Sequence, residues 1–277
     1  MHNFVISGNS GKPISFDIQF PETQGKYPLI IFLHGFKGFK DWGQWPMMGS
    51  ELTKLGFAVL RMNFSHNGTT PENLVDFVDL EAFGNNTFSK EVQDVQDVID
   101  WIFTHKSIHD KVDLDQLFMV AHSRGGAIAM ITAAEDYRVK KLATLSGVST
   151  LQRYTEQELA HWKKEGVVYM LNSRTNQNMP LYFSLAEDYL TNISRLELAQ
   201  VVPKIQQPFM VIHAEEDETV PVEEAREIAS WGVNTKLEIL PKANHSFGGG
   251  HPFTEPELPS DTKKAVELMS RFFTGKE

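Results

Sequence analysis

Five consecutive apolar residues, Leu29-Ile30-Ile31-Phe32-Leu33, cannot sit in a strand that keeps one face wet; they predict a strand covered on both sides. Phe57-Ala58-Val59-Leu60, Leu117-Phe118-Met119-Val120-Ala121 and Phe209-Met210-Val211-Ile212 repeat the pattern. Segments 142–145 and 236–240 are expected to be further strands. Ile14-Ser15-Phe16-Asp17-Ile18-Gln19-Phe20 alternates with period two, as a strand with one solvated face does, and 3–7 alternates more weakly. Helix-length segments lie between these runs. Ser89 is placed to cap a helix carrying Val92, Val95, Ile99 and Ile102 at helical spacing. Small residues dominate 123–134 and permit close packing on a sheet; 222–229 and 265–273 complete the set. The alternation predicts an α/β protein with a mostly parallel sheet flanked by helices.

One stretch breaks the rhythm. Residues 150–202 show no clear strand signal, and a plain connection of about fifty residues is too long for a compact domain. A mainly helical insertion is expected, giving a core of 1–149 and 203–277 with a cap insertion at 150–202. Its scattered aromatic residues have no sheet face of their own to cover, so Trp162, Tyr169, Tyr182 and Tyr189 are the expected substrate-binding candidates.

The absence of cysteine excludes disulfides, cysteine nucleophiles and thiolate-bound metals. With 26 Lys and Arg against 36 Asp and Glu, the formal net charge is −10. Such a surface repels phosphate backbones and anionic lipid, so neither nucleic acid nor membrane is an expected partner. The start of the chain shows no apolar stretch long enough for a secretory signal. The expectation is a soluble, cytoplasmic protein, monomeric or homodimeric.

The chemistry centres on Ala121-His122-Ser123-Arg124-Gly125-Gly126, directly after an apolar strand and directly before a helix. A serine on a sharp strand-to-helix turn exposes its hydroxyl, and small residues two positions either side relieve the crowding. A helix-capping serine reads the same way locally, so the partners decide. A serine nucleophile needs a base and an acid that orients the base. On a sheet of this kind the acid and then the histidine follow the serine along the chain. Asp217 lies on the loop after the strand at 209–212, with Glu215 and Glu216 as nearby competitors; His245 lies on the loop after the next strand, with His251 as its rival. His34-Gly35-Phe36 follows the first buried strand. Its turn supplies one oxyanion donor, the Phe36 N–H, and Arg124 in the first helical turn supplies the other. His105 and His109 have the spacing of a helical metal pair but fall in a polar helix end, and no metal site is expected there. His122 is expected to pack beside the serine turn, and Trp42 and Trp45 to anchor a helix.

These motifs together resemble the α/β-hydrolase superfamily, and within it carboxylesterases related to feruloyl (cinnamoyl) esterases and the hydrolase domain of acylaminoacyl and prolyl peptidases. The resemblance rests on His34-Gly35-Phe36, Arg61-Met62-Asn63-Phe64, the serine turn, 213–221 and Asn244-His245-Ser246-Phe247, spanning about residues 28 to 275. Ala121 stands where glycine is usual and Asn63 where aspartate is common. The resemblance implies an eight-stranded sheet, a cap after the sixth strand and catalysis without metal or other cofactor. The expected function is hydrolysis of a small-molecule carboxylic ester by Ser123, His245 and Asp217. A thioesterase, amidase or small peptidase would use the same residues. A non-catalytic binding protein of this fold would be expected to have lost one of them.

Overall fold

In the computed structural model, which describes residues 2–275, the apolar runs pair into one eight-stranded sheet. Its strands are β1 (His2–Ser7), β2 (Pro13–Gln19), β3 (Tyr27–Leu33), β4 (Ala58–Met62), β5 (Val112–His122), β6 (Val139–Leu145), β9 (Phe209–Ala214) and β10 (Thr235–Leu240), the labels β7 and β8 belonging to a separate hairpin, Val167–Asn172 and Gln177–Tyr182. The order across the sheet is β1-β2-β4-β3-β5-β6-β9-β10. β1 and β2 pair antiparallel with each other, as do β2 and β4; every other pair is parallel.

The helices are α1 (Trp45–Lys54), α2 (Leu80–Gly84), α3 (Phe88–Thr104), α4 (Arg124–Glu135), α5 (Glu156–Glu165), α6 (Ser184–Thr191), α7 (Ile193–Leu196), α8 (Leu198–Val201), α9 (Val222–Trp231) and α10 (Ser260–Thr274). Strand alternation divides the apolar runs between two layers. Ile30 and Phe32 pack with Met48 and Leu52 of α1 and with Met269 and Phe273 of α10. Leu29, Ile31 and Leu33 pack on the opposite face with Val95 and Ile99 of α3 and Ile128 of α4. Burial of each such side chain contributes roughly 1.5–3 kcal/mol. The small residues of α4 let it lie close to the sheet: a Cβ on Gly126 would stand 3.0 Å from the Gly147 Cα. Among the described residues no helix is long and apolar enough to cross a membrane.

Two local expectations need correction. Thr87, not Ser89, caps α3: it is extended, and its hydroxyl accepts the Lys90 N–H at 3.3 Å. Between β6 and β9 the chain is mainly helical as expected, but it also contains the antiparallel hairpin β7–β8, paired from Val167–Tyr182 to Asn172–Gln177. Asn176 closes its turn with a left-handed backbone (φ 55°), which asparagine tolerates better than most residues.

Candidate active site

The parallel strands all end on one edge, and the site is built there from the loops that leave it. β5 delivers Ser123. Its backbone has φ 54° and ψ −125°, a strained combination for a residue with a side chain, held by hydrogen bonds on both sides: its N–H donates to Leu145 O (3.0 Å) and its carbonyl accepts from Gly126 N–H (2.9 Å). Although Ser123 occupies the cap position of α4, its side chain makes no capping hydrogen bond. This removes the capping explanation for a serine at this turn. Gly125 is required by space rather than by its own φ, because a Cβ there would lie 2.5 Å from His34 O. Gly35 is as confined: its Cβ would meet the Ser123 Cβ at 2.9 Å.

β9 delivers Asp217, whose side chain is fully buried (0% exposed). Oδ1 accepts from the Thr219 and Val220 N–H groups at 2.9 and 2.8 Å, and Oδ2 accepts from His245 Nδ1–H at 2.8 Å. Burial alone would raise the carboxyl pKa. The hydrogen bonds from His245, Val220 and Thr219, with the attraction of His245, outweigh it and hold the group down to about 2. Glu215 and Glu216, the competing acids, are exposed. β10 delivers His245. With Nδ1 committed to Asp217, the nitrogen left to accept a proton is Nε2. Ser123 and His245 line the same cavity. His251, the rival base, lies on that cavity's wall instead, its Nδ1 accepting from Gly43 N–H at 3.0 Å.

The loop expected to carry an oxyanion donor follows β3, next to β5. Arg124 begins α4, so its N–H has no carbonyl one turn earlier to bind. The Arg124 guanidinium lies 4.4 Å from the Phe36 ring centroid and pairs with buried Glu91 at 2.5 Å. Phe36 and Arg124 therefore both stand beside Ser123 around one cavity.

Several positioning groups escaped the sequence reading. Asn63 Oδ1 accepts the Lys40 N–H (2.6 Å) while its amide donates to Thr69 Oγ1 and Leu74 O, tying the loop after β3 to the end of β4. Lys40 in turn reaches buried Asp17 (2.6 Å), which also pairs with Arg61 (2.9 Å). His122 packs beside the serine turn as expected, and its Nε2–H donates to the His245 carbonyl at 2.9 Å, fixing the loop that carries the base. Burial, with the charge of His245, lowers the His122 pKa to about 3, so the ring is neutral. Burial likewise lowers His34 to about 4; its Nδ1–H donates to Gly35 O at 2.8 Å. His105 stacks on Trp101 (4.2 Å), and His109 Nε2–H donates to Ile102 O (3.0 Å).

Two cavities, each of 270 Å³, meet at Ser123. The first is mostly apolar, walled by Phe36, Phe88, Val148, Leu151, Tyr154 and Leu185 among others. The second is more polar and includes His34, Lys37, His122, Asn172, Arg174 and His245. Trp45 anchors α1 against Phe32 (5.4 Å), and together with Trp42 it also reaches this second wall. The insertion contributes to both cavities, but through other residues than expected. Trp162 is 1% exposed and donates to Leu181 O at 2.8 Å; Tyr189 is buried and donates to Glu197 (2.6 Å). Tyr182 donates to Glu81 (2.5 Å), and Tyr169 is 64% exposed. None of the four lines either cavity; the insertion residues that do include Leu151, Tyr154, Met170 and Leu185 in the first and Asn172, Ser173 and Arg174 in the second.

Strand order, strained serine turn and the following acid and histidine loops define an α/β-hydrolase fold. The BD-FAE family model matches residues 16–231, and the chain belongs to that family. The structure of Est1E from Butyrivibrio proteoclasticus with ferulic acid bound is similar at TM-score 0.76 and 20% identity, covering 99% of this chain and 98% of that one. GrgF, an α/β hydrolase from Penicillium sp. sh18, gives TM-score 0.75 at 15% identity, with 99% and 98% covered. Human acylamino-acid-releasing enzyme is 20% identical over an alignment of 271 positions that covers 92% of this chain and 32% of that protein, so the chain spans about a third of that relative.

Proposed function

We propose that this protein is a serine hydrolase that cleaves a carboxylic ester through an acyl-enzyme intermediate. The observation that carries the reading is the buried Asp217–His245 pair at 2.8 Å, which shares a cavity with a strained serine whose hydroxyl does no capping. Ser123 Oγ attacks the ester carbonyl carbon as His245 Nε2 takes its proton. The oxygen that gains charge is met by the Phe36 and Arg124 N–H groups. The C–O bond to the alcohol then breaks, and His245 returns the proton to the departing oxygen. Water, deprotonated by the same ring, attacks the acyl-serine, releasing the acid and restoring Ser123. Asp217 holds the Nδ1–H tautomer and stabilises the imidazolium formed in both halves. The insertion at 150–202 acts as a cap that sets specificity, through Tyr154, Met170 and the hairpin turn rather than through its largest aromatics.

A fluorophosphonate probe tests this. It should label one site, Ser123, and abolish ester hydrolysis in step with labelling. Ser123→Ala, checked for folding by circular dichroism, should escape the label and lose roughly 10⁴–10⁶-fold in turnover. Label on another serine, or a variant within tenfold of the parent, removes Ser123 from the mechanism.

A further inference from the structure

The serine-hydrolase reading, taken as the premise, also sorts the two halves of the ester between the two cavities. The ring that protonates the leaving alcohol must stand beside it. Ser123 belongs to both cavity walls, but His245 belongs only to the polar one. The alcohol half therefore enters the polar cavity, and the acyl half takes the apolar one beside Phe36 and Phe88.

The polar cavity is cationic. Among the described residues its wall carries Lys37 and Arg174 and no carboxylate, in a chain with a net charge of −10. The apolar cavity also has two arginines, but both are neutralised: Arg124 by Glu91 at 2.5 Å, and Arg153 by a two-pronged pair with Glu224 at 2.9 and 2.7 Å. Arg174 is paired more loosely, its Nη1 lying 3.6 Å from Oδ1 of Asp76, a carboxylate outside the cavity wall. Its guanidinium is nevertheless fixed, lying over the Phe39 and Phe77 rings (5.6 and 5.8 Å) and donating to Val75 O at 3.2 Å. Lys37 sits in the oxyanion loop with φ 55°, a left-handed backbone that a lysine adopts at some strain, and its Nζ is 3.4 Å from Leu171 O in the hairpin. Two neutral donors complete the wall. His251 accepts on Nδ1 and so carries its proton on Nε2; burial and then the charge of Arg174 lower its pKa, against the opposing charge of Asp76. Asn172 is 6% exposed, and its Nδ2 has no partner among the described residues.

We propose that this cavity binds the alcohol half of the substrate through an anionic group, a carboxylate or a phosphate, held between Lys37 of the oxyanion loop and Arg174 of the hairpin turn. Its 270 Å³ equals about nine water volumes, enough for a small hydroxy acid and not for a long chain. Both cations are partly solvated, so the preference they confer is moderate and sensitive to salt.

The test compares two esters of one acyl group, chosen as one the parent hydrolyses as its para-nitrophenyl ester. One leaving alcohol is 4-hydroxyphenylacetate, the other 4-hydroxyphenylacetamide, matched phenols that differ in charge. At low ionic strength the parent's kcat/KM should favour the carboxylate by about tenfold, and added NaCl should shrink the ratio. Lys37→Met and Arg174→Gln should each cut that ratio at least about threefold, and the double variant should bring it near one. Lys236→Met, on the distant β10 edge, should keep the parent ratio. The ester of 2-(4-hydroxyphenyl)ethyl phosphate, set against that of the uncharged alcohol, reports whether phosphate is the preferred anion. A parent ratio of one or less in both comparisons overturns the anion site, as does a ratio that survives the double variant. Turnover with no charge preference leaves the serine-hydrolase reading intact; absence of any ester turnover together with no label on Ser123 removes both.

Discussion

Replacing Asp217 by asparagine separates what the carboxylate does for catalysis from what it does for the fold. Oδ1 of the aspartate accepts two backbone N–H groups and Oδ2 accepts one from His245. Asparagine can keep its oxygen on the Thr219 and Val220 amides, which leaves its NH₂ facing His245 Nδ1. That contact works only if Nδ1 becomes the acceptor, which moves the ring proton to Nε2, where the base is needed. Turnover on a para-nitrophenyl ester should fall on the order of 10⁴-fold, with the side chain's shape unchanged. The same carboxyl has a stability signature. Holding a fully buried group at about 2 rather than 3.8 contributes about 2 kcal/mol to the folded state, at 1.36 kcal/mol per pKa unit. Because the folded pKa is the lower one, that stabilisation is complete above 3.8 and is lost as pH falls from there toward 2. Urea unfolding should therefore show the parent's advantage over the variant narrowing by about 1 kcal/mol between pH 6 and pH 3. Glu215→Gln and Glu216→Gln, on exposed side chains of the same loop, should change turnover less than about threefold. A variant at Asp217 within tenfold of the parent, or a larger loss at either glutamate, would show that the histidine is oriented by something else.

Gly125→Ala should lower kcat about 100-fold, because the new Cβ meets His34 O at 2.5 Å and displaces the oxyanion loop; kcat with the thermal midpoint checks this. Trp162→Ala should lose about 3–5 kcal/mol in urea unfolding. Tyr154→Ala should instead reorder kcat/KM across an ester series of varied acyl groups, since its ring borders the acyl cavity.

Which parts of this molecule can be read from its sequence follows from where each signal lives. Strands buried on both faces write themselves as unbroken apolar runs, so Leu29 to Leu33 and its three companions were readable without any contact information. The placement of Ser123, Asp217 and His245 was readable for a related reason: each follows a strand of the parallel sheet by a few residues, the first two an unbroken apolar run, so the sheet itself brings them to one edge. Their supports are different. Lys40 meets Asp17 across 23 residues, and His122 meets the backbone carbonyl of His245 across 123. Nothing local distinguishes a histidine that fixes a distant loop from one that fills space. The hairpin β7–β8 was missed for a further reason. Tyr169, Met170 and Leu171 are exposed, so the strand lacks the alternation that burial on one face imposes, and its turn uses Asn176 in place of the glycine that would have marked it.

The insertion also shows why aromatic content does not mark the cavity walls. A segment of about fifty residues, connected to the sheet at only two points, has to bury enough apolar surface of its own to hold a shape. Trp162 does this between Tyr154 (4.8 Å) and Phe183 (6.0 Å), with its indole N–H spent on Leu181 O. Tyr189 is buried against Phe88 and bonded to Glu197. The largest aromatics thus go into packing within the insertion and against α3, where their area contributes most to stability. What remains at the cavity walls is what packing leaves over: one face of Tyr154, the flexible Met170, the aliphatic Leu151 and Leu185, and a polar hairpin turn carrying Asn172 and Arg174. Substitutions at these leftover positions change the walls without dismantling the core behind them. The cavity walls can therefore change at Met170 or Arg174 while Trp162 stays fixed by stability alone.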